Sequence, residues 1–161
     1  MSSTPLPKTK RICLILINAV TLVIFSYHCV MNYKVNILEE TKGNNNFRKV
    51  LFTGSKSQLV VMCIEVGGEI GEETHSKVEQ VLFNFSGEGI AILDGVESPF
   101  LRGDVVVVSP GIKHNFKNNG SKALKIYTIY SPANHIDKTI HQTKQIADAD
   151  VADEEFGVSV K

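Results

Sequence analysis

The chain predicts an all-β fold, a sandwich or barrel, on three observations. Short runs rich in β-branched and aromatic residues recur between Gln58 and Tyr130, none with a sustained helical period. Glycine, asparagine and proline punctuate them at close spacing. The intervals are too short for the crossover helices that a parallel sheet requires. The clearest strands are Leu59–Ile64, Gln80–Phe85, Gly89–Leu93, Asp104–Val108 and Leu124–Tyr130.

Taken in order, residues 1–31 form an apolar N-terminal segment. Ile12–Met31 is mostly apolar and follows Lys8, Lys10 and Arg11. Roughly twenty helical residues at about 1.5 Å each would cross a bilayer of about 30 Å, so membrane attachment through residues 12–31 is one expectation. A secretory signal is a second, although Ser26-Tyr27-His28 makes a poor cleavage site. A misassigned start, with translation beginning at Met31, is a third. The chain is membrane-anchored on the first reading and cytoplasmic on the third.

Residues 32–57 read as a lead-in, with Gly43–Asn46 as a loop and Phe47–Phe52 as an edge strand. Residues 58–131 carry the β-rich body. Val105, Val107, Ile126 and Thr128 read as barrel filling, and Tyr127 and Tyr130 fall on opposite strand faces. Residues 132–161 form an extension with one short helix through Ile146, then a solvated acidic tail of Asp148, Asp150, Asp153, Glu154 and Glu155.

Size and charge exclude several function classes. A chain of 161 residues has room for one domain with a real core. Lysine plus arginine equal aspartate plus glutamate at 17 each, so no whole-protein field draws in nucleic acid. Three cysteines supply neither a disulfide framework nor a paired-cysteine metal motif, and Cys63 reads as a buried, inert thiol. Asn84-Phe85-Ser86 and Asn119-Gly120-Ser121 match glycosylation acceptors by pattern alone.

Two segments carry the chemistry: GGEIGEETHSKVEQVLFNFSG (Gly67–Gly87) and GDVVVVSPGIKHNFKN (Gly103–Asn118). Together they resemble the paired motifs of the cupin superfamily, whose fold is a double-stranded β-helix or jelly-roll barrel. The glycine spacing of the first motif is kept, but Glu73 stands where its first histidine usually is and Gln80 where its glutamate is. In the second, Gly103, Gly111, His114 and Asn118 fit the register, with Ser109 in the usual proline position. The closest texture is that of small single-domain cupins of the mannose-6-phosphate isomerase-like kind.

The resemblance implies a divalent metal held by Glu73, His75, Gln80 and His114. Two imidazoles and one carboxylate suit Zn, Mn, Fe or Ni and leave positions open for a substrate. The amide of Gln80 is the weakest of the four ligands. The off-register Glu79, and His141 folding back toward the barrel mouth, are the candidates for an acid or base, with a surface position the plainer reading for His135 and His141. The leading functional expectation is metal-dependent, isomerase-like action on a small polar molecule such as a sugar or sugar phosphate. A non-catalytic ligand-binding or sensing barrel and a metal-dependent dioxygenase are the alternatives. Exposed barrel edges also suggest a homodimer.

Overall fold

A computed structural model of the chain describes residues 32–160. The expected strands are present, and they pair into two antiparallel sheets. The six-stranded sheet contains β1 (Arg48–Thr53), β2 (Gln58–Ile64), β4 (Glu79–Ser86), β7 (Val105–Val108), β9 (Leu124–Ser131) and β10 (Ile140–His141). Its order is β10-β1-β2-β9-β4-β7. The four-stranded sheet contains β3 (Glu73–Thr74), β5 (Gly89–Leu93), β6 (Val96–Phe100) and β8 (Lys113–Lys117), in the order β3-β8-β5-β6.

Strict alternation on β9 shows why these segments become strands. Leu124, Ile126, Thr128 and Tyr130 are fully buried, while Lys125, Tyr127 and Ile129 face outward. Val60, Met62, Ile64, Leu82, Ala91, Phe100 and Phe116 pack in the same core, with Phe47, Val50, Ile70, Val78 and Val108. Removing this apolar area from water is the main favourable contribution to folding. Outside the six-stranded sheet, Phe83 stacks on Tyr127 with ring centroids 4.6 Å apart.

The turn residues serve definite purposes. Asp94 and Gly95 both have positive φ, 48° and 80°, the two-residue turn that joins β5 to β6 without splaying them. Gly87, the last glycine of the first motif, has φ +89°, and a Cβ there would lie 2.6 Å from the Ala123 carbonyl oxygen. Backbone cannot retreat as a flexible side chain would. Gly87→Ala should therefore cost about 2 kcal/mol or more, seen as a lowered urea midpoint with an unchanged slope.

Several expectations need correction. Phe47–Phe52 is not an edge: β1 lies between β10 and β2, because the chain after the barrel returns to pair with it. Val105 and Val107 are about half exposed, since β7 is the sheet edge and only Val106 and Val108 turn inward. The loop expected at Gly43–Asn46 is preceded by a helix, α1 (Ile37–Gly43), whose N-cap Asn36 accepts from the Leu38 and Glu39 amides. The acidic stretch is not simply solvated. It forms α2 (Lys144–Asp148) and α3 (Val151–Val160), and Asp153 is buried. Asn84 is also buried, its amide donating to the Gly87 and Phe100 carbonyls, so it is no surface glycan acceptor.

The membrane and transmembrane assignment is also corrected. No helix among the described residues is long and apolar enough to cross a membrane. Residues 12–31, on which that expectation rested, lie outside the described residues.

Candidate metal centre

Strand register brings the motif residues together. β3 pairs with β8 so that Glu73 lies directly opposite His114. His75 follows β3, and its carbonyl accepts from the Gly111 amide at 2.8 Å, tying the turn of one motif to the turn of the other. Gln80 enters from β4, where its side chain faces the interior beside Thr128.

The resulting distances are short. Glu73 Oε2 is 3.4 Å from His75 Nε2 and 4.0 Å from His114 Nε2. Gln80 Oε1 is 3.1 Å from His114 Nε2. Ligands about 2.1 Å from one ion lie roughly 3 to 4 Å apart, depending on their angle. Glu73, His75 and His114 each offer a ligand atom, all within 4.8 Å of one another. These three residues could hold a metal ion, with Gln80 beside them.

The protonation states suit a cation. His114 Nδ1 lies 2.9 Å from the Ile112 carbonyl and donates to it, which leaves a lone pair on Nε2. Burial holds the His114 ring below the usual histidine pKa, so it stays neutral near pH 7. Burial pushes the Glu73 carboxyl upward, but the His75 ring and the Arg48 guanidinium outweigh it and bring it down to about 2. Arg48 Nη2 is 3.7 Å from Glu73 Oε1, so it holds one carboxylate oxygen while the other faces the histidines. Both ring nitrogens of the buried His75 lack a hydrogen-bond partner. An orphaned imidazole is costly in a native interior unless something else engages it. The donor set therefore fits a divalent ion.

Glu73 and His75 also line a cavity of about 290 Å³, shared with Arg48, Asn134, His135 and Asp153. Neither weak acid–base candidate is part of its wall. Glu79 is exposed on the outward face of β4. His141 is buried on β10, but its Nε2 donates to Asp150 at 2.9 Å. His135 also reaches the cavity, contrary to its expected surface position. Sequence reasoning also missed Arg48 and Asp153. Arg48 sits in an unremarkable FRKV stretch and Asp153 in an acidic run, so only their pairing in space shows their role.

Two packed antiparallel sheets and paired glycine-histidine motifs converging in the interior define a cupin. A family model described as Cupin domain matches residues 60–130, which contain Glu73, His75, Gln80 and His114. The chain belongs to the cupin family, as a small single-domain member. Its relatives include the Bacillus subtilis (strain 168) protein named "Uncharacterized protein YrkC", 39% identical over 128 residues, covering 76% of this chain and 68% of that one. "Uncharacterized protein L612" of Acanthamoeba polyphaga mimivirus is 34% identical over 107 residues, covering 64% and 67%. Among solved structures, BH2720 from Bacillus halodurans superposes with TM-score 0.73 at 35% identity, covering 76% of this chain and 97% of that one. TT1209 from Thermus thermophilus, at TM-score 0.57 and 13% identity over 62% of this chain and 98% of that one, shares the fold alone.

Proposed function

We propose that this cupin binds a divalent cation through Glu73, His75, Gln80 and His114 and acts on a small polar molecule in the adjoining cavity. The observation that carries this reading is the buried His75 ring, unpartnered at both nitrogens and 3.4 Å from an ionised carboxylate oxygen. A bound divalent ion would supply a Lewis acid for a substrate carbonyl or carboxyl oxygen. Arg48 would hold Glu73 ionised and oriented, and the barrel walls would keep bulk water from the reacting end. The cavity lining sets Glu72, Glu73, Asp148, Asp153 and Glu154 against Arg48 and Lys144, a net negative wall that disfavours a phosphate-bearing sugar.

A non-catalytic binding barrel is the second reading, and one observation favours it. Turning the Gln80 amide over would let its nitrogen donate to His114 Nε2 at the same 3.1 Å, satisfying that pair without an ion. Elemental analysis of protein purified without chelator or a nickel column tests the two. Close to one equivalent of zinc or manganese is expected for isomerase-type chemistry. Iron would favour oxygen chemistry, and protein that neither carries nor takes up metal would leave the binding barrel.

A further inference from the structure

Each sheet has two edge strands among the described residues, and the four are not alike. β10 and β3 are two residues long, too short to template another strand. β6 carries Glu97 and Pro99, a charge and a ring that discourage pairing. β7 is four consecutive valines, Val105–Val108, with neither protection. Val105 and Val107 are 52% and 53% exposed on its outer face. An uncharged, β-branched edge of this kind is where a further strand adds.

The hydrogen-bond phase of β7 identifies the groups left to pair. The Asn84 amide donates to the Asp104 carbonyl at 3.0 Å. Directions alternate along an antiparallel strand, so Val106 and Val108 turn their amides and carbonyls toward β4, opposite Leu82 and Gln80. Val105 and Val107 turn theirs toward the open edge. One N–H and one C=O on each give four groups for a partner strand. The side chains of the same two residues extend an outer face that is apolar across four strands. Register aligns Val107 with Val81, Ile129 and Leu59, and Val105 with Phe83, Tyr127 and Val61.

What fits this edge is the edge itself. Antiparallel pairing about a two-fold axis through Val106 sets Val105 of one copy opposite Val107 of the other, and Val107 opposite Val105. Both members of each pair have free backbone groups and both lie on the outer face, so one register satisfies hydrogen bonding and apolar packing together. A slip of one residue loses both, because it sets an outward valine against an inward one. Charge agrees at the ends. Arg102, just before β7, and Glu79, on the outward face of β4, are exposed, and neither makes an ion pair among the described residues. The two-fold brings Arg102 to about two strand spacings, roughly 10 Å, from Glu79 of the second copy, a gap the two side chains can bridge. We infer that β7 docks a second copy of this chain, joining two six-stranded sheets edge to edge. Neither the edge nor its pairing depends on the metal centre.

Analytical ultracentrifugation of the full chain over a range of concentrations tests this, with a dimer expected. Val107→Pro removes an N–H that faces the open edge and spares the ladder to β4, so it should fold and weaken dimerisation by about tenfold or more. Val107→Lys, a charge at a half-exposed position, should weaken it comparably. Val106→Cys places a thiol on the axis, in a non-hydrogen-bonded pair whose Cα atoms lie about 4.5 Å apart. On mild oxidation it should cross-link to its own counterpart, with peptide mapping locating the link at position 106 in both copies. A monomer at every concentration overturns the inference. So does a dimer that both Val107 variants leave unchanged, or a Val106→Cys chain that cross-links no more than wild type.

Discussion

His75→Ala and His114→Ala should each bring bound divalent metal down to background, a loss of about a hundredfold or more in affinity. Each ring supplies one of few ligands, and His114 is already held in the tautomer that presents Nε2 by the Ile112 carbonyl. Gln80→Ala should cost less, because an amide oxygen is the weakest donor of the set. Glu79→Ala should change nothing, since that residue points out of the barrel. Stability supplies an independent check. In metal-free protein, His75→Leu should lower the thermal midpoint, because it removes the ring that helps hold the Glu73 carboxylate ionised 3.4 Å away. Metal content that stays at the wild-type level in both alanine variants would remove the site assignment.

Asp153→Asn should destabilise the domain by about 3 kcal/mol, a fall in Tm on the order of 10 °C. Asp153 accepts from His135 at 2.8 Å and from the Ile136 amide at 2.8 Å, and lies 3.5 Å from Arg48. Burial opposes its ionisation, but the His135 hydrogen bond and neighbouring positive charge hold its carboxyl below the usual aspartate range. Removing the charge leaves Arg48 buried with Glu73 as its one carboxylate. The same variant frees the His135 ring to change tautomer, so ligand binding in the cavity should weaken while bound metal changes little. A midpoint within about 2 °C of wild type would show that the C-terminal helices cover the cavity without supporting it.

Much of the barrel was legible because short β-branched and aromatic runs between turn residues mark strands. Gly89–Leu93 and Leu124–Tyr130 are two such runs in the bare sequence, and the structure places strands on both. β6 was missed because four of its five residues are exposed and Pro99 interrupts the pattern, which an edge strand tolerates. α1 was missed because its seven residues, ILEETKG, are too few to show a helical period beside an asparagine-rich loop.

By itself the sequence determined the all-β class and the motif spacing that brings Glu73, His75, Gln80 and His114 to one place. Those depend on local period and on turns whose glycines tolerate positive φ, and both are written along the chain. Tertiary structure alone decided that Arg48, His135 and Asp153 meet around a cavity beside the same carboxylate. They lie 105 residues apart at the extreme, Arg48 to Asp153. A charge pairs by distance through space, and no local period records which distant segment the fold will return to it.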